Sequence, residues 1–352
     1  MKQRALQLKE ETIRHRRYIH ECAEVGLKFP KTMAYIKEEL KICGIEPKLC
    51  GNGICAEIGR GEPVLLLRAD ADALPNGHTC GHDCHAAMLL TAAKLLKEDE
   101  QKLHGTVRLM FQPAEETLEG AKNMIDHGIL APTPQAALAF HTAAGKLRPG
   151  MALYGSGIMM RSADCVTITF RGKGGHGAYA DRTCDPIKMA VEAYQALPEF
   201  SFGVFHAGET GNVIPDTAVL KGSVRTERGR EKMLDKLERV VHQAAKRYGG
   251  SVEINHTAGA PALECDQKLT VFFAGCLKEL NLIVKDGVRA KASEDFAYIA
   301  REIPSAYFYL TCGFSDGRGA HLAHDPLVQI DEDVLPIGAA AYAHCAQRYL
   351  KK

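Results

Sequence analysis

The chain has 352 residues, 46% of them hydrophobic and 25% charged, which is long enough for two domains or for one large domain with an insertion and excludes a disordered chain. Its 44 Lys and Arg nearly cancel 43 Asp and Glu, so no global field selects nucleic acid or an anionic membrane, and any ligand must be recognised locally. Twelve cysteines without an export signal, several single inside apolar runs (Cys165, Cys276, Cys312), read as free thiols rather than a disulfide scaffold.

The N-terminal "MKQRALQLKEETIRHRRYIHE" alternates charged and apolar residues at helical spacing and lacks the continuous apolar stretch of a signal peptide or membrane span, so the expected location is the cytoplasm. Three apolar runs follow, "PVLLLRAD" (63–70), "GTVRLMFQPAEE" (105–116) and "AALAFHTA" (136–143), each a buried strand running straight into acids or a histidine. "HAAMLLTAAKLLKE" between the first two and "EGAKNMIDHGIL" after the second have helical spacing. Strand, helix, strand, helix, strand implies a parallel sheet covered on both faces, with its site at the carboxyl ends of the strands.

The middle of the chain changes rhythm. Strand 165–172, helix 185–197, strands 200–208 and 217–227, helix 228–249 and strand 251–257 give the order βαββαβ, which can close into a four-stranded sheet with two helices on one face. We expect this α+β domain, 163–264, to be inserted into a first domain made of 1–162 and 265–352. After it, "KLTVFFAGCLKEL" is a helix, "SAYFYLTCG" a strand, and a helix from about Val334 closes the chain.

The chemistry concentrates at the strand ends. Cys80 and His82 can both point inward from one tight turn, His85 opens the following helix, and Asp70, Asp72 and Asp83 can either ligate a metal or orient the imidazoles; a merely polar strand-to-helix turn is the alternative. Glu115 and Glu116 would repel each other at the end of a buried strand unless a cation or a shared proton offsets the repulsion. One can hold a metal while the other takes a proton from water, the division of labour that metal-assisted hydrolysis needs; an exposed acidic loop before a helix is the alternative. His141 and the distant "HLAHDP" offer further imidazoles.

Seven segments, "LLLRADADALP", "HTCGHDCHAAMLL", "GTVRLMFQPAEE…GAKNMIDHGIL", "GKGGHGAYA…DPI", "GNVIPDTAVLKGSVRT", "SEDFAYI" and "HDPLVQIDEDVLPIGAAAY", resemble in order the amidohydrolase branch of the aminoacylase, carboxypeptidase G and hippurate hydrolase metallopeptidase family. The resemblance implies an α/β two-metal exopeptidase-like catalytic domain, mainly a parallel sheet flanked by helices, carrying an inserted ferredoxin-like lid and dimerisation domain. It implies Cys80, His82, Glu116, His141 and His324 as metal ligands, Glu115 as general base, and Asp70, Asp72, Asp83 and His85 as supporting residues. His176 of "GGH" is implied to reach a substrate carbonyl, commonly across a homodimer interface, with Asn212 and Arg225 near the substrate; a surface ion pair is the other reading of Arg225.

The expected activity is hydrolysis of the amide of N-acyl amino acids or related small conjugates, using two divalent ions, zinc first with manganese, nickel or cobalt as other candidates. The rivals are a metallo-dipeptidase or aminopeptidase, and a metal-binding homologue without activity. Three departures from the family pattern bear on the site mouth: only Asn76 to Thr79 separate "DALP" from the "CGH" turn, "HGAYAD" replaces the usual "H-A-A-x-P-H", and no proline follows soon after His141.

Overall fold

A computed structural model describes residues 1–351, apart from the side chains of residues 257 and 258; Lys352, the last residue of the expected first domain, lies outside them. The chain divides into two compact units, one formed by Met1–Met159, Leu263–Ala290 and Glu294–Lys352, the other by Met160–Ala262 and Lys291–Ser293.

The first unit is built on an eight-stranded sheet. Its centre is parallel: Val64–Asp70 lies between Thr106–Gln112 and Ala136–Ala143, and Ala136–Ala143 pairs in turn with Ser305–Thr311. Every residue of Val64–Asp70 and Thr106–Gln112 is buried, which is why these strands read as continuous apolar runs. Both flanks depart from the parallel expectation. Gly53–Gly59 runs antiparallel to Thr106–Gln112 and carries Lys48–Cys50 on its outer edge, while Met151–Tyr154 runs antiparallel to Ser305–Thr311 and pairs parallel with Ile283–Lys285. The sheet is therefore mixed.

Leu65, Leu67 and Ala69 enter the main core, so the two-residue strand period turns Leu66 and Arg68 to the opposite side. That core is completed by helix His82–Glu98, whose residues 82 to 93 are all buried, and by the alanine-rich helix Leu335–Leu350 packed against it. The helices approach closely at Gly338, where a Cβ atom would lie 2.0 Å from Met88 Sδ. The Tyr342 hydroxyl donates to the Arg68 carbonyl at 2.7 Å and accepts the Phe140 N–H at 3.0 Å, tying this helix to two central strands.

The second unit follows the βαββαβ order. Its sheet is antiparallel throughout, ordered Ser201–Ala207, Thr217–Val224, Ala163–Arg171, Ser251–Ala260. Val166, Ile168 and Phe170 alternate into a core shared with helices Pro186–Ala196 and Arg230–Arg247. The second helix buries Leu237, Val241, Ala244 and Ala245, one stripe of a 3.6-residue period. A small two-stranded ladder pairs Gly175–His176 with Val213–Ile214. Among the described residues no helix is long and apolar enough to cross a membrane.

Tyr342→Phe leaves the buried Phe140 N–H and Arg68 carbonyl without the hydroxyl and should cost about 1–3 kcal/mol of stability, read from urea unfolding. A midpoint unchanged from the parent would mean that this hydroxyl bridges nothing of consequence.

Candidate metal centre

Because the three central strands are parallel and in register, Asp70, the "PAEE" turn after Gln112, and His141 arrive at one edge of the sheet. The turn before helix His82–Glu98 adds Cys80 and His82. Gly81 is required there twice over: its φ is 93°, and a Cβ would lie 2.3 Å from Thr142 Oγ1. His324 comes from the loop after Ser305–Thr311, with φ 74°, its N–H donating to the Thr79 carbonyl at 2.9 Å and its carbonyl accepting from Asn76 Nδ2 at 3.2 Å. The short segment Asn76 to Thr79 thus holds the last imidazole in a strained backbone conformation.

The five sequence-predicted ligands and Glu115 converge. Cys80 Sγ lies 3.6 Å from His141 Nε2, His82 Nε2 lies 3.7 Å from Glu115 and 3.8 Å from Glu116, and His324 Nε2 lies 3.6 Å from Glu116. Three overlapping donor groups result: Cys80, His82 and His141; Cys80, Glu116 and His324; His82, Glu115 and Glu116. His82 Nε2 and Glu116 Oε1 are buried without a hydrogen-bond partner, facing each other at a distance too long for a hydrogen bond. An imidazole and a carboxylate left unpaired in this way, beside the Cys80 thiol, fit a divalent transition ion.

The ring tautomers are fixed for the same task. His82 Nδ1 donates to the Asp72 carbonyl at 3.1 Å and His141 Nδ1 to the Thr142 carbonyl at 2.7 Å, leaving each Nε2 lone pair facing the centre. His85 differs: its Nε2 accepts the Thr142 N–H at 2.8 Å and its Nδ1 donates to Asp70, so neither nitrogen is free to ligate. The Asp72 carboxylate accepts the backbone N–H groups of Glu115 at 3.0 Å and Glu116 at 3.2 Å, fixing a turn that also contains Ala114 at φ 55°. Asp83 is turned elsewhere. It forms an ion pair with Arg16, Nε lying 2.8 Å away, accepts from His20 Nδ1 at 2.7 Å, and anchors helix Lys9–Cys22, not an imidazole of the centre.

Burial without a counter-charge opposes ionisation. It pushes the Cys80 thiol up to about 12 and raises Glu116, while burial together with the Glu294 charge holds Glu115 well above the usual carboxylate range. Burial, then His85, depresses His141; for His82 burial acts the same way, but Asp70 and Cys80 outweigh it and raise the ring. A divalent cation is the counter-charge that would let the thiol and the carboxylates ionise together.

Sequence reasoning overlooked the residues behind the centre. Arg68, buried in the middle strand, donates through Nε to Gln112 at 2.9 Å, through Nη1 to Asp70 at 2.7 Å, and through Nη2 to Glu294 at 2.8 Å and Asp295 at 2.9 Å. Tyr307 donates to Glu294 at 2.7 Å. An arginine inside "LLLRAD" and paired acids in "SEDFAYI" were the available signals.

His176, Asn212 and Arg225 belong to the second unit. His176 and Asn212 meet at the two-stranded ladder, where the Gly177 N–H donates to the Asn212 carbonyl at 2.8 Å. His176 Nδ1 accepts the Ala178 N–H at 3.1 Å, so in the neutral ring Nε2 carries the proton. Arg225 Nη1 donates to Ser293 Oγ at 2.6 Å, so the Arg225 bond found here is to a hydroxyl.

Residues 66–348 match the sequence profile of peptidase family M20/M25/M40. The chain is 33% identical over 380 residues to IAA-amino acid hydrolase ILR1-like 2 of Arabidopsis thaliana, covering 97% of this chain and 85% of that one. It is also 33% identical over 366 residues to N-acetyl-L-cysteine deacetylase of Bacillus subtilis, covering 93% and 85%. Among solved structures it is similar to the Bacillus subtilis YXEP protein, described as a dinuclear metal binding peptidase from the M20 family, with a TM-score of 0.84, 28% identity, and coverage of 98% of this chain and 99% of that chain.

The two Asp72 carboxylate oxygens hold the backbone of both glutamates, and asparagine would replace one acceptor by a donor, so Asp72→Asn should weaken metal affinity about 10–100-fold in titrations of the metal-free protein. An affinity equal to that of the parent would deny Asp72 this role.

Proposed function

The chain belongs to peptidase family M20/M25/M40, and from that premise we propose that it cleaves N-acyl amino acids or related small amide conjugates to a carboxylic acid and an amino acid. Metal-dependent amide hydrolysis is the activity of this branch. The observation that carries the proposal is the Glu115 carboxylate, which no protein donor bonds among the described residues, beside the unpaired Nε2 of His82 at 3.7 Å.

Cys80, His82, Glu116, His141 and His324 would hold two divalent ions, for which zinc suits the thiolate and imidazole donors best and manganese, nickel and cobalt are the other candidates. Bound there, such ions supply Lewis acidity and lower the pKa of water from ~15.7 to about 7. Glu115 takes the proton of the water whose oxygen bonds to the amide carbon, then delivers it to the nitrogen as the C–N bond breaks. The His176 Nε2–H donates to the oxyanion, and Asn212 and Arg225 bind the substrate, Arg225 through the amino-acid carboxylate.

A free-amine peptidase needs a carboxylate to hold an ammonium group. Glu294 and Asp295 lie near Glu115, but their oxygens are engaged by Arg68, Tyr307, Gln112 and the N–H groups of Ala121 and Phe296, which favours an acylated nitrogen in the substrate. The convergence of the side chains proposed as base and ligands supports an active enzyme over an inactive homologue. The names of the Arabidopsis and Bacillus relatives, a hydrolase of IAA-amino acids and a deacetylase of N-acetyl-L-cysteine, support the same substrate class.

We assign a homodimer to the inserted unit. Its edge strand Ser201–Ala207 leaves one side unpaired and exposes Val204 and Phe205, a surface suited to continuing the sheet with a second copy, whose His176 would complete the site. Twelve free cysteines fit the reducing cytoplasm.

A panel of N-acetyl, N-benzoyl and indole-acetyl amino acids and unblocked dipeptides, with added zinc, manganese or nickel, tests the substrate class; turnover of the dipeptides alone would overturn it. Glu115→Gln should keep its metal and lose at least about 100-fold in kcat. His176→Ala should lower kcat with the fold intact, and a monomer at micromolar concentration by light scattering would rule out the contribution of His176 from a second copy.

A further inference from the structure

The proposed base stands beside a cation it does not touch. A carboxylate oxygen of Glu115 lies within 4.8 Å of carboxylate oxygens of both Glu294 and Asp295, and those two residues accept the bonds from Arg68 Nη2 at 2.8 and 2.9 Å. Arg68 is 1% exposed, and a buried guanidinium with an unanswered N–H recruits any carboxylate within reach. Glu115 shares this cluster and has no protein donor on its carboxylate among the described residues. Paired with arginine, it would be held away from the water it must deprotonate.

We propose that Glu294, together with Asp295, is a positioning residue that keeps Glu115 free by occupying both Nη2 protons of Arg68. Each Nη2 proton has its own acceptor, while Nε is answered by Gln112 and Nη1 by Asp70. Glu294 is itself locked, its Oε1 accepting the Phe296 N–H at 3.0 Å and its Oε2 the Tyr307 hydroxyl at 2.7 Å, so it cannot exchange places with Glu115. The role requires an acceptor at this position rather than a negative charge. Glutamine can fill it, since its amide oxygen can take the bonds from Arg68 and Phe296 while its NH₂ faces the Tyr307 hydroxyl, which accepts as readily as it donates.

The inference rests on Glu115 being the base. The test is steady-state kinetics of the metal-loaded protein on whichever N-acyl amino acid of the panel is turned over fastest, with metal content measured in parallel. Glu294→Ala should lose at least 100-fold in kcat with KM and metal content within about threefold of the parent. Glu294→Gln should recover kcat to within about fivefold. The double variant Arg68→Met with Glu294→Ala should be faster than Glu294→Ala alone, because the competing cation is gone. If Glu294→Ala does not fold, Glu294→Asp, which draws the acceptor back by one methylene, is read in its place.

A Glu294→Ala enzyme with parental kcat would overturn the proposal. So would a glutamine variant as slow as the alanine variant, which would mean that the charge itself acts, or a double variant no faster than the single one. Parental turnover by Glu115→Gln would instead overturn the assignment of the base, whereas a dead Glu115→Gln beside a fully active Glu294→Ala would overturn this inference alone.

Discussion

A guanidinium placed in the middle strand of a buried parallel sheet has to be answered by acceptors drawn from several parts of the chain, and in this protein that demand organises the catalytic unit. Arg68 is answered by its own strand through Asp70, by the neighbouring strand through Gln112, and by Glu294 and Asp295 from beyond the inserted unit. Its carbonyl meanwhile accepts from Tyr342 on the final helix. Segments far apart in sequence are thereby held around one charge. Leaving that charge unanswered would be more costly than any single packing defect, because an isolated buried ion can be neither solvated nor easily neutralised.

The centre is supported by the same logic on a smaller scale. Backbone carbonyls of Asp72 and Thr142 choose the tautomers of His82 and His141, and the side chain of Asp72 chooses the conformation of the turn that carries both glutamates. Positive φ angles at Ala114 and His324 are tolerated because hydrogen bonds on either side hold them. These hydrogen bonds orient the donors independently of the ion they would hold, which is what makes a loose collection of donors into a site.

Much of this was legible in the sequence. The three central strands announced themselves because burial on both faces removes polar residues, and their ends were visible because Asp70, Glu115 with Glu116, and His141 interrupt that pattern abruptly. The βαββαβ order was equally plain, since a half-covered antiparallel sheet alternates and a surface helix shows a stripe. Met151–Tyr154 and Ile283–Lys285 went unread because strands of four and three residues are too short to show a period, whereas Gly53–Gly59, as long as the central strands, is interrupted by the exposed Glu57 and bounded by glycines. The partners of Arg68 were hidden for another reason: no local pattern links residue 68 to residues 294 and 295. His324 was found only through family resemblance, and Asp83 sits in the right turn while pointing to Arg16 and His20.

His82 is both a donor at the centre and the first residue of the helix that fills the core. An ion gripped there would be a ligand of the folded state alone, since the unfolded chain scatters its donors across more than two hundred positions. At a hundredfold excess over its dissociation constant such an ion adds about 2.7 kcal/mol to the resistance of the whole unit against heat. Metal supply would therefore set how long the enzyme survives as well as how fast it turns over.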